Sequence, residues 1–243
     1  MIDRAGGRAA WWLAMSFVVL LAPPGAAHDP PRTTVTWVGD IARLVQSRCT
    51  RCHSPEGKGP MSLVTYEDAR PWAKAMREEV LARRMPKWHA ARGYGEFAND
   101  PTLSPFDIAL IVAWVDGGAV RGDPSKAPPP AVPATPVEPR SSKARTIALP
   151  CGNRPLPAGR LLAITPSLAE GASAGFSVIL PDGRQEIVAW IRDYEGEFAD
   201  TYWLESPFVL PRGSRLRVEG ASSECRVELT IGGLIGRPIT IQS

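Results

Sequence analysis

The sequence predicts a multidomain protein in which an all-α domain is followed by an all-β sandwich domain, joined by a proline-rich linker. Apolar residues recur at helical spacing in the first part of the chain, and short alternating segments occupy the last part. Seven prolines and no aromatic residue lie between residues 121 and 145. We therefore expect the first domain at residues 28–120, the linker at 121–145 and the sandwich at 146–243.

The first 27 residues have the composition of a secretory signal peptide. Arg4 and Arg8 precede an apolar run from Trp11 to Ala22, and small residues then lead to a cleavage site after Ala27. The 12 residues of this run are fewer than the roughly 20 that span a bilayer. We expect a periplasmic or otherwise exported protein that has no stable membrane span after cleavage.

The charge pattern argues against nucleic acid as a partner. The chain has 28 basic and 25 acidic side chains, and they are interspersed without a long run of either sign. Nucleic-acid binding proteins concentrate basic residues on one face or segment. We therefore expect protein partners and no nucleic acid.

Three helices are expected in the first domain. Val38, Ile41, Leu44 and Val45 have helical spacing and lead into the first pair of cysteines. A second helix is expected from Thr65, with Asp68 at its third position, and Pro86 limits its end. A third is expected after Ser104-Pro105 and ends at Gly117-Gly118.

The linker is expected to be extended and semi-rigid because it is rich in proline. The segments after it alternate between apolar and polar residues, which is typical of strands in a sandwich. Pro181-Asp182-Gly183-Arg184 predicts a hairpin turn. The expected strands are 160–165, 176–180, 186–191, 202–210, 215–219 and 225–230.

The segment Cys49-Thr50-Arg51-Cys52-His53 predicts covalent attachment of one haem c. Two thiols one helical turn apart can form thioethers with the two vinyl groups of a haem, and the adjoining imidazole is then the proximal iron ligand. The alternatives are a redox dithiol and half of a zinc site. The other thiols lie 99 and 173 residues beyond Cys52, which disfavours zinc, and a dithiol does not need the histidine.

The sixth iron ligand is expected to be Met85, which lies next to Pro86 at the end of the second helix. His89 is the rival ligand. Apart from His53 itself and His28 at the start of the domain, it is the only imidazole in the first domain. Met61 and an open sixth position are further alternatives, whereas Met76 is expected to be a core residue.

A carbonyl group is expected to hold the second ring nitrogen of His53, because metal-bound histidines generally donate that N–H. Gly59-Pro60 and Leu63 resemble the loop that supplies this carbonyl in many class I cytochromes c. Pro60 O is therefore the expected acceptor, and Leu63 and Trp88 are expected to line the haem.

Three segments of the first domain, 63–74, 84–89 and 113–119, are similar to a known family. Through them, residues 35–123 resemble bacterial monohaem cytochrome c domains that are often joined to copper type II ascorbate-dependent monooxygenase-like domains. In that family the Met-Pro-x-Trp segment is the place of the axial methionine. The resemblance therefore implies Met85 as a ligand.

Residues 146–232 resemble the C-terminal β-sandwich of those monooxygenases, at 180–184, 201–204 and 210–213. The family has a copper-binding Pro-His-x-His segment where this chain has Pro166-Ser167-Leu168-Ala169. No His or Met follows His89. We therefore expect the fold without copper and without monooxygenase activity.

Cys151 and Cys225 are expected to form a disulfide, because an oxidising compartment does not maintain reduced thiols. The alternative is a pair of free buried thiols.

Three functions remain open at this point. The leading hypothesis is an electron carrier, not an enzyme, that transfers single electrons between periplasmic redox partners. The second is a haem enzyme or sensor whose sixth iron position is open or weakly held. In the third, the sandwich is a docking module that tethers the cytochrome to a partner.

Overall fold

The computed structural model describes residues 35–127 and 144–233. The predicted signal peptide and residues 128–143 of the predicted linker lie outside the described residues, and so does His28. The described residues belong to one compact unit that starts at Val35. No helix within the described part of the chain is long and apolar enough to cross a membrane.

A π-helical turn, Trp37–Ile41, leads directly into helix α1, Ala42–Arg48. The side chain of Thr36 caps this start, since its hydroxyl accepts a hydrogen bond of 3.0 Å from the Gly39 N–H. Ile41 and Val45 are fully buried. The predicted first helix is therefore present, and its apolar face packs into the core of the helical part.

The predicted second helix is divided into three pieces. They are α2, Tyr66–Ala69, a 3₁₀ turn, Arg70–Trp72, and α3, Ala73–Leu81. The capping box between Thr65 and Asp68 is present as predicted. Pro71 lies in the 3₁₀ turn, where its missing N–H interrupts the α-helical hydrogen bonding.

Helix α4, Pro105–Asp116, begins with the predicted Ser104 cap. Ser104 and Asp107 form a second capping box, and Gly117 follows the last helical residue. The Trp114 indole N–H donates to Val120 O at 3.0 Å, and the centroid of the Trp114 ring lies 5.6 Å from that of Trp37. Trp114 thereby joins α4 to the start of the described chain.

The second part of the described chain forms two antiparallel four-stranded sheets. The strands are β1 Arg145–Pro150, β2 Arg154–Pro155, β3 Gly159–Ser167, β4 Ala174–Ile179, β5 Gln185–Ile191, β6 Tyr202–Leu210, β7 Arg215–Glu219 and β8 Arg226–Gly232. The strand orders of the two sheets are β1-β8-β3-β6 and β2-β7-β4-β5. All six predicted strands are present, and β1 and β2 were not predicted.

The predicted hairpin joins β4 to β5. The N–H of Leu180 donates to Arg184 O at 2.8 Å, and Gly183 has a φ of 86°. A residue with a Cβ adopts this conformation only at a cost, so glycine suits the position.

The predicted disulfide between Cys151 and Cys225 is confirmed. The two Cα atoms are 5.4 Å apart, and the bridge closes a sequence separation of 74 residues. Cys151 follows β1 and Cys225 precedes β8, and these strands are neighbours in one sheet. The bridge therefore covalently links the ends of two paired strands.

The predicted fold class is wrong, because the helices within residues 35–127 do not form a self-contained all-α domain. The described residues are mainly β-sheet, in two antiparallel sheets, and the longest helix among them has only 12 residues. Residues 82–104 contain no helix, and two of them, Ala90 and Phe97, form β-bridges with strands of the sandwich. The sequence pattern of the helices was local, so it did not reveal that the segment between α3 and α4 pairs with distant strands.

We call residues 87–99 the edge segment, because they cover an edge of the sandwich. Strands β5 and β6 are the outer strands of their sheets. Ala90 bridges to Ile191 of β5, and Phe97 bridges to Leu204 of β6. The N–H of Ala91 donates to Trp190 O at 2.7 Å, and that of Ala98 donates to Trp203 O at 2.9 Å. Unpaired edge groups of both sheets thus find partners in the edge segment.

Replacing Phe97 with Ala should destabilise the sandwich, although Phe97 lies outside the predicted sandwich boundaries. Its side chain is 9% exposed and belongs to the sandwich core. Removing a buried phenylalanine ring typically costs about 3–5 kcal/mol. Phe106, which is 69% exposed, is the matched control and should change the free energy of unfolding by less than about 0.5 kcal/mol. Denaturant titration of both variants measures the difference, and equal effects would contradict the packing described here.

Candidate functional site

The Cys-x-x-Cys-His segment forms a tight turn at the end of α1. The N–H of Cys49 donates to Val45 O at 2.8 Å, so the helical pattern extends to the first cysteine. The N–H groups of Cys52 and His53 both donate to Cys49 O, at 3.1 and 2.9 Å. The two thiols are free and half-buried. Two thiols and one imidazole are therefore carried by a single turn of the backbone.

A loop of residues 54–63 folds back around the imidazole of His53. The Leu63 N–H donates to His53 O at 2.9 Å, and the Gly59 N–H donates to Cys52 O at 2.7 Å. His53 Nδ1 lies 3.2 Å from Met61 O. The predicted acceptor, Pro60 O, is thus replaced by the carbonyl of the next residue, because the spacing specifies the loop but not which of two neighbouring carbonyls turns inward.

Two glycines of this loop lie too close to the motif to carry a side chain. A Cβ at Gly59 would lie 2.6 Å from His53 Nδ1, and a Cβ at Gly57 would overlap Cys52 O. Real Cβ atoms do not approach other atoms this closely, so larger residues would force the loop away. The glycines therefore let the backbone close around the edge of the imidazole.

With a carbonyl at Nδ1, the other ring nitrogen of His53 is available for a ligand. Among the described residues no hydrogen bond to Nε2 of His53 is present. A histidine whose Nδ1–H donates to a carbonyl has its lone pair on Nε2. The loop consequently orients this imidazole as a ligand through Nε2.

Burial raises the pKa of the Cys49 thiol to about 12, and the neighbouring Cys52 adds to this effect. Reactive dithiols have a lowered pKa that provides thiolate at neutral pH. The Cys49 thiol therefore lacks the lowered pKa that is typical of a reactive dithiol.

Met85 is half-buried and lies beyond the end of α3, in the short stretch that leads to the edge segment. The preceding Arg84 pairs with Glu79 of α3 at 2.8 Å, and the Met85–Pro86 peptide is cis. Met76, by contrast, lies inside α3 and is 9% exposed in the helical core. The expectation that Met76 is a core residue is confirmed.

His89, the rival ligand, is buried against the sandwich and only 6% exposed. The Glu195 N–H donates to His89 Nε2 at 3.3 Å, and the Tyr202 hydroxyl lies 3.4 Å from His89 Nδ1. The backbone takes part as well, since the Arg192 N–H donates to His89 O at 2.9 Å. Both ring nitrogens of His89 therefore have partners on the sandwich.

Leu63 and Trp88, the other predicted neighbours of a haem, lie in different cores. Leu63 is 4% exposed and packs in the helical core. Trp88 packs against the sandwich core, with its ring centroid 4.6 Å from that of Tyr202. Only Leu63 thus shares a core with the helices around the Cys-x-x-Cys-His turn.

Sequence reasoning missed a second part of this region, residues 195–201, which we call the clamp loop. Arg51, inside the Cys-x-x-Cys-His motif, forms an ion pair with Asp200. Lys58, in the loop around His53, donates to Glu197 O at 2.9 Å. The partners are separated by 149 and 139 residues, and no local pattern in the sequence signals such a contact.

The donor set at the motif differs from that of a bare metal site. Within residues 35–127 and 144–233, no group of three or more His, Cys, Asp or Glu side chains could hold a metal ion. Two free thiols and a carbonyl-held imidazole on one turn are instead the groups that covalent haem attachment uses. These are the residue types that the predicted attachment of a haem c would use.

The chain matches no protein-family model and no curated protein. Among solved structures, a region is similar to a chain described in "Structural and functional characterization of Pseudomonas aeruginosa AlgX", with 14% identity and a TM-score of 0.24. The match covers 38% of this chain and 26% of that chain. A likeness this weak carries no argument about fold or function.

The stability of the protein should fall in mild acid because of His89. Burial lowers the pKa of this imidazole below its ordinary value of 6.5, although the nearby Glu195 carboxylate opposes the shift. Below about pH 6.5 the unfolded chain therefore takes up a proton that the folded chain does not, and the free energy of unfolding falls. Thermal melts between about pH 5 and 8 should show this loss, and it should be smaller in His89→Gln, whose side chain does not titrate. An identical pH profile in the variant would assign the effect to other groups.

Proposed function

We propose that this protein is an exported c-type cytochrome that binds one haem covalently and transfers single electrons between periplasmic redox partner proteins. The observation that carries the proposal is the Cys49–His53 turn, which bears two free thiols and an imidazole whose Nδ1 lies 3.2 Å from Met61 O. The resemblance of residues 35–123 to bacterial monohaem cytochrome c domains and the signal-like composition of residues 1–27 support it.

The two cysteines and the histidine of the motif have different roles in this proposal. Cys49 and Cys52 bind the two vinyl groups as thioethers, and His53 binds the iron through Nε2. Met61 O accepts the Nδ1–H, which keeps the ring in one tautomer and increases its basicity. The bound haem supplies the iron that changes oxidation state.

The alternatives for the motif are less well supported. A redox dithiol needs a readily ionised thiol, and the pKa of the half-buried Cys49 thiol is raised. A zinc site needs further ligands, and Cys151 and Cys225 are joined to each other in a disulfide. Haem attachment uses all three residues of the motif and needs no others to hold the group in place.

Met85 is the proposed sixth ligand. It is a half-buried thioether outside the regular helices, whereas Met76 is fixed in the helical core. The rival His89 would have to give up hydrogen bonds to Glu195 and Tyr202 and leave the sandwich to reach an iron atom. An iron with both His and Met ligands binds no substrate, which favours a carrier over an enzyme or sensor.

The β-sandwich has no proposed copper site. Pro166 of β3, in the place of the family's copper-binding segment, uses its carbonyl to accept a hydrogen bond of 3.3 Å from the Tyr194 hydroxyl. The backbone pairing of the edge segment with β5 and β6 argues against a freely tethered docking module. We propose that the sandwich supports the cytochrome instead.

Haem should remain bound to the protein after denaturation, because thioethers are covalent. Protein produced together with the haem-attachment machinery and exported should stain for haem on a denaturing gel. Cys49→Ala/Cys52→Ala should lose the stain, and Cys151→Ala/Cys225→Ala, which replaces the same number of cysteines in the sandwich, should keep it. A stain that persists without Cys49 and Cys52 would refute covalent attachment at this motif.

Replacing Met85 with Ala should leave the sixth coordination position of the iron without a protein ligand. Thioether ligation of ferric haem gives a weak absorption band at about 695 nm, and methionine holds the potential high. The variant should lose the band, have a lower potential and bind carbon monoxide when reduced. Optical spectra and redox titration of the haem-loaded protein measure all three.

Two matched variants separate the candidates for the sixth position. Met76→Leu, a core substitution of similar volume, and His89→Gln should both keep the band at about 695 nm. If His89→Gln loses it while Met85→Ala keeps it, His89 is the ligand. If the wild type already binds carbon monoxide readily, the iron is open and the enzyme or sensor hypothesis takes precedence.

A further inference from the structure

We propose that the clamp loop of the β-sandwich, residues 195–201, is a positioning element for the sixth iron ligand. It contacts both the loop around His53 and the segment that follows Met85, and so sets where these two segments lie relative to each other. The inference rests on the proposed function and assigns the sandwich a role in it.

The first set of contacts joins the clamp loop to the Cys-x-x-Cys-His turn and to the loop around His53. Asp200 pairs with Arg51, which lies between Cys49 and Cys52. Lys58, in the loop that holds His53, donates a hydrogen bond of 2.9 Å to Glu197 O. Because Arg51 immediately precedes Cys52, this ion pair acts directly on the turn that carries the thiols.

The second set joins the clamp loop to the segment after Met85. Glu195 accepts two hydrogen bonds from Lys87 Nζ, at 2.6 and 3.0 Å, and its backbone N–H donates to His89 at 3.3 Å. Lys87 Nζ also lies 5.4 Å from the centroid of the Phe198 ring. Lys87 is two residues beyond Met85, so these contacts limit where Met85 can move.

The clamp loop is itself anchored at both ends to the sandwich. The Gly196 N–H donates to Glu170 Oε1 at 2.7 Å, and the hydroxyl groups of Thr201 and Thr165 lie 2.8 Å apart. Asn99 of the edge segment donates to Thr201 O at 2.7 Å and accepts from the Trp203 N–H at 3.0 Å. A loop held in this way can transmit the geometry of the sheets to both contacted segments.

Each ion pair is expected to contribute little to global stability and to act mainly by limiting where the joined segments lie. The side chain of Arg51 is 52% exposed and that of Glu195 is 42% exposed, so solvent screens both pairs. A methionine on a mobile segment binds the iron only in the fraction of molecules that place it correctly. Removing both pairs should therefore shift the fraction with an open iron by about tenfold and leave global stability almost unchanged.

The test compares Glu195→Gln/Asp200→Asn with the control Glu219→Gln in full-length, haem-loaded protein. The control removes the Arg217–Glu219 pair on β7, whose partners are both 49% exposed. The double variant should stain for haem as the wild type does, have a weaker band at about 695 nm and react with carbon monoxide about tenfold more. Its melting temperature should match that of Glu219→Gln.

A charge reversal provides the rescue experiment. Arg51→Glu should weaken the band at about 695 nm, and adding Asp200→Arg should restore it, since the pair is re-formed with opposite signs. A band and a carbon monoxide reactivity unchanged in Glu195→Gln/Asp200→Asn would overturn the inference. A wild-type protein without covalent haem would instead refute the proposed function, so the two failures are distinguishable.

Discussion

The backbone pairing of the edge segment with β5 and β6 is the constraint on which the rest of the structure depends. Exposed edges of a sheet carry N–H and C=O groups that need partners, and residues 87–99 supply them to both sheets. The same segment places Phe97 in the sandwich core and packs Trp88 against it. The helical part and the sandwich therefore share backbone hydrogen bonds and apolar contacts as well as a covalent connection.

This pairing determines the surroundings of the candidate haem site. Because the edge segment is fixed to the sandwich, the clamp loop reaches Arg51 and Lys58 on one side and Lys87 on the other. His53 is held separately, by Met61 O and by a loop that closes only because Gly57 and Gly59 lack side chains. The site thus combines a local turn with contacts over more than 100 residues of sequence separation.

Local signals in the sequence predicted local structure well. Thr65 with Asp68, and Ser104 with Asp107, form the expected capping boxes, and residues 181–184 form the expected hairpin turn. Each of these features depends on side chains and backbone groups within a few residues of one another. The carbonyl that holds His53 differs from the predicted one by a single residue, since a loop of this length can turn either of two neighbouring carbonyls inward.

The sequence by itself determined which side chains the Cys49–His53 turn carries, the start of two helices and six strands of the sandwich, because spacing and composition act over short distances. It did not determine the fold class, since the edge segment has neither a helical nor a regular strand pattern and its partners are about 100 residues away. Only the tertiary structure placed His89 and Trp88 on the sandwich and Asp200 beside Arg51. The physical reason is that hydrogen bonds and ion pairs between distant segments depend on how the whole chain packs, which no local pattern records.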